Sequence, residues 1–315
     1  MQGFLAQTAA RLYEKYGDEI SSLYLLFPSR RAELFFGEAL AALAGKPVWQ
    51  PHTTSIDELM DTVAGQRAGD RVRLITELYK VWSRYHTEDF DSFYYWGEML
   101  LADFDAVDKY LIDARMLFAN LRDIKEVDAD RTYLTPAQRQ VIDGFWESFS
   151  LRAGVSTHQE EFLKVWNTLA AVYNEYKTAL AGQQLAYTGM MHRTAAEVLH
   201  AGGLPEELAG RRYAVIGFNA LTECEKKLFD VLRKVGNAEF FWDWDHYWLD
   251  NPQHEAGLFM RGNLQRYPES APLAGGYDNF RQDKKITVVQ APSDTLQCKY
   301  LYRLLESLGT PGKET

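Results

Sequence analysis

The densest chemistry in this 315-residue chain lies in Trp242-Asp243-Trp244-Asp245-His246-Tyr247-Trp248. Two carboxylates and an imidazole this close can hold a divalent ion, and indole rings can stack on nucleic-acid bases. Read as a strand, alternation puts Asp243 and Asp245 on one face and Trp242 and Trp244 on the other. A metal site built on Asp243, Asp245 and His246 needs ligands from elsewhere, and no further His/Asp/Glu set stands at ligand spacing. The same string also reads as a structural strand end with buried tryptophans.

A second stretch, Phe27-Pro28-Ser29-Arg30-Arg31, marks a handover from an apolar run to a helical one. A helix N-terminus carries unpaired N–H groups and a partial positive charge, so Ser29, Arg30 and Arg31 can hold a phosphate there. The alternative is a Pro-Ser helix start with two solvated arginines. His52-Thr53-Thr54-Ser55 follows a short extended piece at Val48–Gln50. As a polar turn, His52, Thr53 and Thr54 can donate hydrogen bonds to a phosphate backbone, or simply cap the next helix.

Missing motifs narrow the chemistry. A P-loop requires G-x-x-x-x-G-K-[ST], so that backbone N–H groups and a lysine cradle phosphates. Gly45-Lys46 runs into Pro47, and Gly275-Gly276 into Tyr277. Neither G-x-G-x-x-G nor G-x-S-x-G occurs, and no Cys/His pair suits nucleophilic catalysis. ATP hydrolysis is not expected, nor is a cofactor. An acidic series, Asp103, Asp105, Asp108, Asp113, Asp123, Glu126, Asp128 and Asp130, surrounds the helical core positions Leu100, Leu101, Phe104, Val107 and Leu111. These carboxylates read as a solvated face that repels DNA or meets a basic partner.

The elements that must position these residues follow from periodicity and capping. Leu23–Phe27 is a continuous apolar run, as in a strand covered on both faces. Ser29 opens a helix through Leu43 that Gly45 and Pro47 stop. Ser55 with Glu58, and Thr222 with Glu225, have capping-box spacing. Tyr213–Ile216, a helix with Cys224, Leu228, Val231 and Leu232 on one face, and Ala238–Trp242 read as strand, helix, strand, which points to a parallel α/β sheet. From about Asp70 to Leu199 the pattern is helical: Val72–Tyr85, Phe90–Tyr110, Ala114–Ile124, Pro136–Phe149, Gln159–Ala181 and Gln184–Leu199. Thr135 and Thr157 head further capping boxes within it. His254–Phe280 reads as a surface connection. Ile286–Gln290 reads as a strand, and a helix through Leu308 follows it.

Composition agrees with a packed core: 46% of residues are hydrophobic and 14% aromatic. No run of about 18 apolar residues is present to span a membrane. The N-terminus is an amphipathic helix without the basic and apolar regions of a signal peptide. Cys224 and Cys298 read as buried thiols in a reducing compartment, so a cytoplasmic location is expected. A net charge of −10 disfavours general DNA coating but permits a local basic groove.

Taken in order, LYLLFPSRRAELFFGEAL, TTSIDELM, WGEMLLADFDAVDKYL, YAVIGFNALTECEKKLF, FFWDWDHYW and ITVVQAPSDTLQCKYLYRLL carry a resemblance across nearly the whole chain. It resembles the N-terminal, helicase-like half of AddB/RexB-type subunits, and related PD-(D/E)XK nuclease-family proteins of double-strand-break repair, in a Bacteroidetes-like form. The resemblance implies an inactivated superfamily I helicase: a RecA-like, P-loop NTPase-type parallel sheet lacking the P-loop, with a large all-helical insertion. Pro28, Ser29, Arg30 and Arg31 would match the motif that contacts single-stranded DNA. Gly217 and Phe218 stand where that ancestor carries an Asp-Glu pair for magnesium. FFWDWDHYW stands near its third motif, without the glutamine.

The expected organisation is a helicase-type domain from 1–60 plus 201–282, a helical insertion at 61–200, and the start of a second RecA-like domain at 283–315, with the chain a piece of a longer protein. The expected role is non-catalytic: binding or positioning single-stranded DNA in a helicase–nuclease, with an exonuclease domain further along the parent protein and an AddA-like helicase subunit as partner. Nuclease residues are absent from these 315 residues. The other readings are a protein-interaction scaffold without DNA affinity of its own, and a metal-dependent enzyme using Asp243, Asp245 and His246.

Overall fold

The computed structural model describes residues 3–118, 155–273 and 277–307. It forms two compact units, Met1–Tyr277 and Asp278–Thr315. In the first, α1 (Phe4–Tyr16) leads through a 3-10 turn to β1 (Leu23–Phe27), α2 (Arg30–Ala44), β2 (His52–Ser55), α3 (Ile56–Ala64) and β3 (Arg67–Ala68). The helical stretch holds α4 (Arg71–Trp82), α5 (Phe90–Lys109) and α6 (Val155–Gly182), then β4 (Leu185–Ala186), α7 (Thr188–Gly202) and α8 (Glu206–Ala209). The chain returns to the sheet with β5 (Arg212–Ile216), α9 (Glu223–Val235) and β6 (Ala238–Phe241), and ends the unit with α10 (His246–Leu249) and α11 (Leu258–Arg266).

The main sheet has the order β2-β1-β5-β6, all parallel, with Leu25 opposite both Thr53 and Ala214, and Val215 opposite Phe240. The expected α/β class with a parallel sheet is what the chain forms. β1 is apolar throughout because both faces are covered. Leu23, Leu25 and Phe27 pack with Leu12, Phe36 and Leu40 from α1 and α2. Leu26 points the other way, into a core with Leu59, Leu199 and Leu228 from α3, α7 and α9. From β1 the chain crosses through α2 to β2 on one side, and from β5 through α9 to β6 on the other. Right-handed crossovers running in opposite directions put α2 and α9 on opposite faces. The order therefore reverses between β1 and β5, and ligands of such sheets bind at the carboxyl ends beside that point.

Both capping boxes form: Ser55 with Glu58 opens α3, and Thr222 with Glu225 opens α9. Gly45, Gly65 and Gly236 end their helices in the left-handed conformation that glycine adopts without strain. Elsewhere the structure corrects the sequence reading. A short parallel ladder, β3 with β4, interrupts the stretch read as purely helical. α6 begins by Val155 and runs through Thr157, so Thr157 does not start it. The helix expected at Pro136–Phe149 and the Thr135 box lie outside the described residues. His254–Phe280 is not a plain surface connection: α11 buries Met260 and Asn263, and Tyr267 stacks on Phe240 with centroids 5.2 Å apart. In the second unit, Ile286–Gln290 is exposed and joins no ladder, since a strand needs a hydrogen-bonded neighbour. The expected helix behind it is α12 (Asp294–Ser307).

The helical stretch has its own core, in which Leu78, Phe93, Phe104, Tyr176 and Met191 meet. α7 belongs to both cores: Met190 and Met191 enter the helical one, Ala195, Ala196 and Leu199 the sheet one. It crosses α5 so closely that a Cβ on Gly189 would stand 2.3 Å from the Asp105 carbonyl oxygen. It is also tied to α3, where buried His192 Nε2 lies 2.9 Å from Asp57 Oδ1.

At this junction sits Asp108, which the acidic pattern assigns to a solvated face. It is 0% exposed. Its carboxylate accepts from Tyr173 Oη at 2.5 Å and Lys177 Nζ at 2.9 Å, and from the Tyr187 hydroxyl and Arg193 Nε. Arg193 also donates to the carbonyls of Val107 (3.0 Å) and Ile112 (2.7 Å), where α5 ends. There Leu111 takes a left-handed φ of 54°, a conformation costing a non-glycine residue about 1 kcal/mol. Burial beside Asp108 raises the hydroxyl pKa values of Tyr173 and Tyr187. Both stay protonated and donate.

Removing a buried carboxylate strands its cations and donors, which costs about 3 kcal/mol or more. Asp108→Ala is expected to lose about that much in urea unfolding, whereas exposed Asp103→Ala on the same helix changes stability by no more than about 0.5 kcal/mol. Thiol titration gives a second check. Cys224 is buried as expected, with its thiol pushed up to about 12 chiefly by desolvation, whereas Cys298, read as buried, is exposed on α12. One thiol should react quickly in the native protein, and the second only on unfolding.

Candidate nucleic-acid interface

The carboxyl ends of β1 and β5 present Pro28–Arg31 and Gly217–Leu221. Ser29 occupies the N-cap position of α2 in extended conformation, but its hydroxyl makes no cap bond; Ala32 N bonds to the Ser29 carbonyl instead, at 3.1 Å. The hydroxyl is exposed beside the helix N-terminus. Arg30 and Arg31 are exposed too, in different states. Arg30 reaches across to α3 and pairs with Glu58, its Nε 2.8 Å from Oε1. Arg31 has no carboxylate partner among the described residues and lies 5.9 Å from the Phe35 ring centroid.

Carboxylates temper this edge. Glu33, one turn into α2 and beside Thr53, is raised above its ordinary value by burial. Glu58 is lowered, first by the Ser55 N–H that closes the capping box and then by Ser55 and Arg30 side-chain contacts. Asp57 is lowered by its hydrogen bond to His192. The positive ends of α2 and α3 are thus partly met by the chain's own acids. The Arg30–Glu58 pair is solvent-exposed, and such pairs are worth at most about 1 kcal/mol. A charge-assisted bond to phosphate, at about 1.5–3 kcal/mol, can displace it.

The other predicted contact residues are placed differently. His52 does not lie on the same edge as Arg30. It begins β2 opposite Tyr24, near the amino end of β1, because His52–Ser55 is the strand itself and not a turn after one. Its ring stacks on Tyr24 with centroids 4.6 Å apart, and Arg211 lies 4.2 Å from the same Tyr24 ring. Thr53 and Thr54 are in the ladder, and the Thr54 hydroxyl bonds to the Ser55 carbonyl at 3.3 Å. Ser55, at the carboxyl end, is occupied by its box.

β6 ends at Phe241, so strand alternation does not extend through Asp245. Trp242 is fully buried, its Nε1 donating to the Tyr267 carbonyl at 2.9 Å, and cannot stack on a base. Trp244 is half-buried with Tyr277 stacked at 4.0 Å. Asp245 caps α10 through Tyr247 N at 2.9 Å, and His246 Nδ1 lies 3.1 Å from Asp250. Among the described residues no three His, Cys, Asp or Glu side chains converge as metal ligands.

Beyond β5 the turn is closed by rings. Gly217 has a φ of 75°, and a Cβ there would stand 3.2 Å from the Phe4 ring. Phe218 is buried edge-on against Phe229, with centroids 5.1 Å apart. Buried Asn263 holds the loop by donating to the Asn219 carbonyl at 2.6 Å. Sequence pattern misses this clasp because Asn263 lies in the stretch read as surface. No family model matches the chain, and no curated protein matches it. Among the described residues no helix is long and apolar enough to cross a membrane.

The lowered pKa values of Glu58 and Asp57 set a pH dependence. Each group's stabilisation is fully present above its unfolded value, near 4, and fades as pH falls through the lower folded value. The urea midpoint should therefore drop between about pH 5 and pH 3, and Glu58→Gln should flatten part of that drop. An unchanged slope in Glu58→Gln would mean that the box and the Arg30 pair do not depress Glu58.

Proposed function

We propose that this chain is a non-catalytic, RecA-like module that positions single-stranded DNA by its backbone, at the carboxyl edge of the sheet where α2 begins. The observation that carries the reading is the coincidence of the switch point between β1 and β5 with an exposed Ser29, an exchangeable Arg30 and an exposed Arg31 that has no carboxylate partner among the described residues. Phosphate contacts need these features and no base-reading group. The resemblance to the helicase-like half of AddB/RexB-type subunits supports the same residues, and suggests an AddA-like helicase subunit and a nuclease elsewhere in a parent protein. The turn after β5, filled by Phe4, Gly217 and Phe218, supports a structural use of the position where a helicase would hold magnesium.

A protein-docking scaffold is the second reading. The observation in its favour is the apolar face of α5, which nothing among the described residues covers.

The test is fluorescence anisotropy of labelled single-stranded DNA across a salt series. Binding should weaken with salt at a slope of about −0.7 per phosphate neutralised, and Arg30→Ala with Arg31→Ala should reduce the slope by about one to two contacts. Trp242→Phe should leave it unchanged. A folded chain that shows no binding at low salt would sink the DNA reading.

A further inference from the structure

The outer face of α5 carries an apolar stripe that nothing described in the structure covers. Tyr95, Met99, Ala102 and Ala106 recur with a 4-3-4 spacing, the pattern of a coiled-coil seam. Tyr95 is 70% exposed, Met99 41%, and the flanking Trp96 and Tyr110 48% each. The inner face already packs through Phe93, Leu100, Phe104 and Val107, so burial of the core does not require the stripe. Helices normally keep the solvent side polar, and a contiguous exposed apolar patch marks an interaction surface. The two central alanines leave room for a second helix to approach closely.

Charge identifies the occupant. Asp91 lies along one border of the stripe and Asp103 along the other, both exposed and without an ion pair among the described residues. The cations nearby are already used: Arg71 pairs with Glu98 at 2.8 Å and Lys109 with Asp105 at 2.8 Å. A second copy of this chain would bring the same aspartates against each other, on a molecule of net charge −10. We propose that the α5 stripe docks an amphipathic helix of another protein, with an apolar seam flanked by lysine or arginine. Its apolar residues lie over Met99, Ala102 and Ala106, and its basic margins face Asp91 and Asp103.

A labelled three-heptad peptide with leucine at a and d and lysine at e and g, titrated into the full chain, tests this; its counterpart has glutamate at e and g. The lysine peptide should bind and the glutamate peptide should not. Ala102→Glu adds attractive charge yet obstructs the seam, and should weaken the lysine peptide by about tenfold or more. Asp91→Asn with Asp103→Asn should weaken it as well. Circular dichroism checks that each variant stays folded. Unchanged binding in Ala102→Glu would reduce the interaction to general charge attraction and overturn the proposal, as would failure to bind the lysine peptide. A concentration-dependent dimer abolished by Ala102→Glu would overturn it in favour of a second copy. Single-stranded DNA binding measured on the same Ala102→Glu protein should be unaffected, which separates this surface from the α2 edge.

Discussion

Asp108 is the constraint on which the arrangement of the first unit depends. A carboxylate removed from water is costly unless its charge and lone pairs are met. Here two cations and two tyrosines meet it, and they come from different elements: Tyr173 and Lys177 from α6, Tyr187 from the turn before α7, Arg193 from α7. The Cys224 thiol, at the start of α9, adds a contact to the Asp108 carbonyl at 3.5 Å. No apolar contact has comparable directionality. Leucines at this junction would tolerate a sliding of α7 along α5, whereas bonds to one carboxylate do not. The cluster is better understood as selecting one packing than as adding net stability, since a well-packed apolar replacement can be equally stable.

α7 transmits that selection. Its first turns are fixed in the helical core by Asp108 and by the close crossing at Gly189, and its later turns form part of the floor of the sheet core. α3 is tied to it through Asp57 and His192. α3 in turn carries Glu58, which holds Arg30. A chain of short-range contacts therefore links the helical block to the edge at which α2 begins. Glu58 serves three groups at once: the Ser55 N–H, the Ser55 hydroxyl and Arg30.

Legibility in the sequence followed the range of the interactions. β1, the two capping boxes and the start of α5 were readable because each rests on neighbours within a few residues. Asp108 was not. Its place in a run of aspartates matches a solvated face, and its partners lie 65 to 85 positions away. His52 was misplaced because a polar start to a strand looks like a turn; its ring is satisfied by Tyr24 from the adjacent strand. Trp242 is buried, in line with the reading of its string as a strand end and against the reading of it as a base-stacking ring. An aromatic, acidic string looks chemical, yet Tyr267, from a stretch with little periodicity, buries it. Sequence could place Ser29, Arg30 and Arg31 at a helix start, but not say that Glu58 would hold Arg30 and not Arg31.

The two proposed surfaces obey different physics, which bears on how an acidic protein could handle a polyanion at all. At the proposed α2 edge the affinity would come from counterions released by very few cations, so it would be small, with a correspondingly shallow salt slope of about −0.7 per contact. At the α5 stripe it comes from apolar area and close helix packing, which salt leaves largely intact. A net charge of −10 opposes general attraction to DNA, so the proposed binding would rest on a local cluster of cations. Weak, local attraction suffices if another protein brings the strand near, because tethering replaces bulk concentration with a far higher effective one. On that view the aspartates beside α5 are not in conflict with a DNA-handling role. In the proposed arrangement they would recruit the basic partner and keep nucleic acid off the helical face that it occupies.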